Sequence, residues 1–350
     1  MSFVNFETSI TEEAFFRRFA YKQMLTFGIK FLDDAMIGIS PTDLVLLGAG
    51  SGTGKTQFCT NLALANLAIG KKVHYFALEA DRFEIQRRIK YQLLSHKYFA
   101  ETPITRPRLE GGLIFKKWLY GYYGTELEEY ENAAVSESKI NFSNLNLFTK
   151  SDDFNITTLV EKITMNCRDS DLIIVDHVHY FDFEDQNENT ALKDIAKMAR
   201  TLALENEKPI VLVGHMRKKD KFNKDFAPSM EEFHGSSDLF KIATKVLTFA
   251  SGKVEEMSGD CETFFRICKD RTDGSVTKYM GRIFFSPRKA NYDAEYTIGW
   301  DSQTRERDKE FEPLTNNAYP KWARRNNDGA SGGLRSIPNF APRSPPVASQ

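Results

Sequence analysis

Net charge is nearly absent from this chain: 47 basic residues against 48 acidic ones leave a formal −1. No global field therefore draws it to nucleic acid, and any such contact must be local. Cysteine is also scarce. Cys59, Cys167, Cys261 and Cys268 make no Cys-x-x-Cys pair, which argues against zinc or disulfides and predicts free thiols in a reducing compartment. No apolar run approaches the roughly 20 residues of a membrane-spanning helix. The N-terminus carries acids and aromatics early and lacks the apolar centre of a signal peptide, so a cytoplasmic protein without membrane contact is expected. What remains is ordinary for a globular protein, at 41% hydrophobic and 27% charged residues. A chain of 350 residues can bury a core without staples, as one large domain or two small ones.

One stretch organises the rest: Ala49, Gly50, Ser51, Gly52, Thr53, Gly54, Lys55 and Thr56. It follows the apolar run Leu44-Val45-Leu46-Leu47 and precedes a helical pattern of Phe58, Leu62, Ala65 and Ala68, with Gln57 in the first turn. Strand, glycine loop and helix in that order form a phosphate-binding loop. Glycines let the backbone fold around a phosphate, and the helix N-terminus presents N–H groups to the anion. Lys55 should reach the β- and γ-phosphates and Thr56 should hold Mg2+. The usual first glycine is Ala49 here, a position read as tolerating a methyl group. The alternative is a glycine-rich turn that happens to precede a lysine.

The remaining elements follow in order. Residues 11–24 read as an amphipathic helix with Phe15, Phe16, Phe19 and Ala20 on one stripe, folding back on its own domain or docking on a neighbouring subunit. Val73 to Ala77 is a short buried strand, and Glu79 falls where a parallel strand's C-terminal edge would face a nucleotide. There a carboxylate can polarise an attacking water; the plainer role is a cap on the next helix. Residues 98–144 read as a helical insertion of aromatic and acidic segments. Leu172 to Val175 ending in Asp176 is a buried strand that delivers a carboxylate beside a metal. His177 and His179 follow at strand spacing, either packed at a strand end or ligating zinc, although no cysteine or third histidine lies nearby in sequence.

The strand from Ile210 ends at His215, which can sense a γ-phosphate or be a structural histidine. Arg217, Lys218, Lys219, Lys221 and Lys224, interrupted by Phe222, form the densest basic stretch, either tracking a phosphate backbone or forming a solvated turn. Lys269 and Arg271 end a strand at a hairpin turn from which they could reach the nucleotide of an adjacent subunit; a solvated hairpin tip is the alternative. The pattern predicts an α/β fold with a mainly parallel central sheet flanked by helices and an antiparallel hairpin at its C-terminal edge. Residues 1–27 would be a helix and linker, 28–300 one domain, and 301–350, rich in Asn, Gly, Pro and Ser, a disordered tail.

These elements in this order resemble the RecA-type ATPase core, and most closely the DnaB-like replicative helicases, over residues 28–285. The resemblance implies ATP and Mg2+ as ligands, Glu79 as catalytic base, and Lys269 with Arg271 acting in trans on a neighbour's γ-phosphate. It also implies a homo-oligomeric ring, typically a hexamer, that moves on single-stranded DNA alongside replication or recombination proteins. Three departures stand out. Residues 1–27 do not supply the family's primase-contacting domain, and His215 replaces the usual glutamine. The loop after Asp176, which helps line the pore in relatives, carries Asp182, Glu184, Asp185 and Glu188. Those acids should repel phosphates, so a RecA-fold ATPase without unwinding activity (a mediator, loader or switch) is the alternative.

Overall fold

Buried parallel strands read as unbroken apolar runs because helices cover both faces of their sheet. Four such runs make its centre here. In the computed structural model, which describes residues 13, 17, 23–149, 156–180, 188–216, 227–229, 232, 237–301 and 311–324, the chain opens with helix α1 (Lys30–Met36), then β1 (Leu44–Ala49), α2 (Lys55–Ala68), β2 (Val73–Ala77) and α3 (Arg82–Ala100). Next come α4 (Phe115–Leu119), α5 (Glu126–Glu137), β3 (Leu145–Thr149), α6 (Ile156–Asn166), β4 (Leu172–Asp176), α7 (Glu188–Asn206) and β5 (Ile210–His215). After α8 (Ser237–Ile242) the chain is mostly β: β6 (Lys245–Val254), β7 (Cys261–Asp270), β8 (Met280–Ser286), β9 (Asn291–Asp301), β10 (Phe311–Pro313) and a last short helix, α9 (Lys321–Arg324).

All ten strands share one sheet, ordered β10-β9-β8-β7-β6-β1-β5-β4-β2-β3. The pairings from β3 to β6 are parallel and those from β6 to β10 antiparallel. Strand periodicity divides the core in two. Val45, Leu47 and Ala49 pack on the face covered by Phe58 and Leu62 of α2, whereas Leu44 and Leu46 pack on the face covered by Leu192, Ile195 and Ala196 of α7. No described helix is long and apolar enough to cross a membrane.

The insertion is helical and has its own apolar centre: Tyr91, Leu94 and Tyr98 of α3 pack with Leu113 and Leu127. Its acidic run has a basic partner surface, since Lys90 pairs with Glu131 at 2.7 Å and Lys97 with Glu137 at 2.6 Å.

The reading of 301–350 as a disordered tail needs correction for residues 311–324. Phe311 to Pro313 extend the sheet by pairing with β9. Tyr319 and Ala323 are buried, and the Trp322 ring lies 6.1 Å from Phe31 and 5.9 Å from Tyr279. These aromatics are spaced singly among polar residues and so lack periodicity, but each fills a gap in the sheet face. Residues 302–310 and 325–350, and most of the proposed N-terminal helix, lie outside the described residues.

One buried ion pair fixes the β6–β7 junction. Lys245 Nζ donates to Asp270 Oδ2 at 2.9 Å with both side chains almost fully enclosed. Asp270→Ala would leave the ammonium buried and unpaired, and should cost about 3–5 kcal/mol of stability by urea unfolding. The double substitution Lys245→Met with Asp270→Leu should recover most of it.

Candidate active site

The strand order brings the C-terminal ends of β1, β5, β4 and β2 side by side. The glycine loop, His215, Asp176 and Glu79 are therefore neighbours at one edge, although they are widely spaced along the chain. The loop departs from helical and extended geometry at Gly52 (φ 74°) and Gly54 (φ 96°). A Cβ at Gly52 would meet nothing within 4 Å, so backbone conformation and not crowding requires glycine there. Ala49 is the last residue of β1 and is wholly buried in the α2-side core. Its methyl group is part of that core packing, so the fold accommodates alanine at this position.

Lys55 opens α2 and is buried. Its Nζ donates to Gly50 O at 3.0 Å and to His215 Nδ1 at 3.0 Å. Burial lowers the lysine's pKa, against the pull of the Asp176 and Glu79 charges. Thr53 Oγ1 donates to Gly50 O and ties the loop across its base.

Asp176 ends β4 in a buried position. Burial raises its carboxyl above the usual range, while the hydroxyls of Tyr75 and Thr56 and the charge of Lys55 hold it down. Tyr75 Oη donates to Oδ2 at 2.9 Å. Oδ1 is buried and has no hydrogen-bond partner among the described residues. A partnerless anionic oxygen beside a threonine hydroxyl suits a hard divalent cation, so these residues fit Mg2+.

Glu79 follows β2 and is about half exposed, with Oε2 3.2 Å from Nε2 of the buried His177. It does not cap the next helix; Asp81 does, accepting from Glu84 N at 2.8 Å. His177 corrects the strand-spacing expectation. β4 stops at Asp176, His177 turns to φ 90°, and Val178 to Tyr180 form a 3-10 turn. That turn sets the His177 ring against His215, with centroids 4.1 Å apart and the two Nε2 atoms in hydrogen-bond contact.

Lys269 and Arg271 sit at the other edge of the sheet. Arg271 N donates to Thr244 O at 2.9 Å, and Thr244 N to Leu44 O at 2.9 Å, which places the turn beside the start of β1. The six residues of β1, rising about 3.3 Å each, separate that edge from the glycine loop by roughly 17 Å. The two basic residues are not equivalent. Lys269 Nζ donates to the carbonyls of Phe240, Lys241 and Ala243 at the end of α8, so the ammonium's three donors serve its own chain. In the isolated chain, then, the Lys269 ammonium is spent on α8 and not presented to a neighbour. Arg271 is exposed.

The basic run from Arg217 to Lys224 lies outside the described residues, as do Asp182, Glu184 and Asp185. Sequence reasoning missed Tyr75, although a tyrosine inside a buried strand needs a hydroxyl partner, and Asp176 is that partner. It also missed His177 as part of the site.

A glycine loop leading into a helix, with an acid at each of two neighbouring parallel strand ends, defines a phosphate-loop NTPase fold of the RecA type. The model of the DnaB-like helicase C-terminal domain matches residues 25–291, and the chain belongs to that family. Among solved structures, an ATPase domain is similar at 15% identity and a TM-score of 0.64, covering 83% of this chain and 99% of that one. A DnaB-like replicative helicase, whose interactions with primase are described with it, is similar at 16% identity and a TM-score of 0.64, covering 83% and 67%. No curated protein sequence matches.

Proposed function

We propose that this chain hydrolyses ATP as a ring-forming helicase or translocase on single-stranded DNA. The observation that supports the proposal is the layout of the sheet: the glycine loop, Asp176 and Glu79 lie at one edge and the exposed Arg271 at the other. Roughly 17 Å of β1 keeps Arg271 from its own glycine loop, so it is placed to serve the loop of an adjacent copy.

In this reading the N–H groups from Gly50 to Gln57 cradle the phosphates, and Lys55 leaves Gly50 and His215 to bridge the β- and γ-oxygens. Thr56 and Asp176 hold Mg2+, which when bound neutralises charge on the phosphates. Glu79 orients the attacking water, His215 faces the γ-phosphate, and Arg271 stabilises the transition-state charge of the neighbour's site. Lys269 fixes α8 against β7, and so positions the Arg271 turn without touching the reaction. Arg217, Lys218, Lys219, Lys221 and Lys224 would follow the DNA backbone. The acids at 182, 184, 185 and 188 favour the second reading, a RecA-fold ATPase that acts without unwinding.

The test is the ATPase rate with and without single-stranded DNA at two salt concentrations, together with particle size. Stimulation that falls with added salt supports translocation on DNA. A DNA-independent rate in an assembled ring supports the second reading. No ATP turnover with Mg2+ in any condition overturns both.

A further inference from the structure

Arg271 has a basic neighbour that comes from a different element. Arg200, in the C-terminal half of α7, donates from Nη1 to Thr42 O, just ahead of β1. Arg271 is tied to the same segment from the other side. Its N–H donates to Thr244 O at 2.9 Å, Thr244 N donates to Leu44 O at 2.9 Å, and Thr244 Oγ1 donates to Asp43 Oδ1 at 2.7 Å. Two arginines far apart in sequence are thus anchored on one knot of Thr42, Asp43, Leu44 and Thr244, at the edge of the sheet away from their own glycine loop.

The acids at this knot are already engaged. Asp43 is buried, with Oδ1 on the Thr244 hydroxyl and Oδ2 accepting from Ser40 N at 2.8 Å. Asp270 pairs with Lys245 and accepts from Thr272 N. Among the described residues neither Arg200 nor Arg271 forms an ion pair, and the Arg271 guanidinium makes no hydrogen bond. The charges meet without a counter-ion between them. Burial and then Arg271 lower the Arg200 guanidinium, with Asp43 pulling the other way. After burial, Arg271 and Arg200 also lower Lys269. Both arginines still stay charged at neutral pH. Like charges held together are relieved by an anion that contacts both. Arg200 is half-buried and its single bond to Thr42 O leaves the rest of its planar fork open, a shape that matches a phosphate.

We infer that Arg200 is a second trans-acting cation, which joins Arg271 on the terminal phosphate of a nucleotide held by an adjacent copy of this chain. The inference rests on the reading of Arg271 above. It gives α7 the part that Lys269, held by α8, does not take in the isolated chain.

The test uses the full chain. Arg200→Met keeps the half-buried stem and removes the guanidinium. It should lower kcat for ATP about 10- to 100-fold, as loss of one donor aimed at developing charge does. Its Kd for ADP, which lacks the phosphate concerned, should stay within about twofold of the parent value. Arg200→Gln keeps a neutral donor for Thr42 O, serves if the methionine variant does not fold, and should show the same loss. Mixed with Lys55→Ala chains, either variant should regain part of its turnover, because the Lys55→Ala chain brings an intact Arg200 to the variant's loop. In an Arg271→Ala background, loss of Arg200 should cost roughly a further threefold or more in single turnover, since each arginine makes its own contact. Parent-like kcat in either variant, no recovery in the mixture, or no further loss in the Arg271→Ala background overturns the inference; the last result would make Arg200 a support for Arg271 only. Parent-like turnover in Arg271→Ala alone overturns the reading of the trans edge instead, and this inference with it.

Discussion

Arg271→Ala should lower ATP turnover by about a thousandfold or more while nucleotide affinity stays near the parent value. A guanidinium delivered to a γ-phosphoryl transition state accounts for roughly 10³–10⁵ in rate, or about 4–7 kcal/mol of barrier. The structure prepares Arg271 for such a role. Its own N–H is held by Thr244 O, and the next residue's N–H by Asp270 Oδ1 at 2.8 Å. Asp270 is in turn fixed by the buried Lys245. The backbone on both sides of the guanidinium is therefore set before any neighbour arrives, which limits the ordering cost of docking. Because the residue works in another copy's site, mixing Arg271→Ala chains with Lys55→Ala chains should restore part of the turnover in shared assemblies. A single-turnover assay of each variant and of the mixture measures this; parent-like hydrolysis by Arg271→Ala alone removes the assignment.

Lys55→Ala should act on binding itself. Truncating one partner of a buried, hydrogen-bonded charge pair costs about 2–5 kcal/mol, a loss of roughly 30- to 5,000-fold in affinity for Mg2+ and ATP. Fluorescent-nucleotide titration reads this directly, and unchanged affinity would argue against the phosphate-loop reading. The fold should survive, because the substitution removes a cation that burial already disfavours. Asp176 should become still harder to ionise without the lysine beside it.

The strands were legible because the centre of a parallel sheet is buried on both sides. Leu44 to Leu47, Leu172 to Val175 and Ile210 to Val213 could hardly be anything else, and Asp176 and His215 stood out as polar ends of apolar runs. The glycine loop was legible from its flanks. Three things were not. The positive φ of His177 has no marker, since the residue is not glycine. Lys269 looked like a free hairpin cation because its three carbonyl partners lie on α8, brought near only by the β6–β7 pairing. The segment from Phe311 to Arg324 looked structureless because single aromatics carry no period; they dock only on a face that distant residues have already built.

The placement of functional groups at opposite ends of one sheet sets the geometry of any assembly that uses both. Copies stacked head to tail, donor edge to acceptor edge and each related to the last by the same rotation, would give every inner loop a neighbour's arginine. A row of this kind always leaves one unserved loop and one idle arginine at its ends. Joining those ends raises the number of complete pockets to the number of chains, so activity per chain should climb as open rows close.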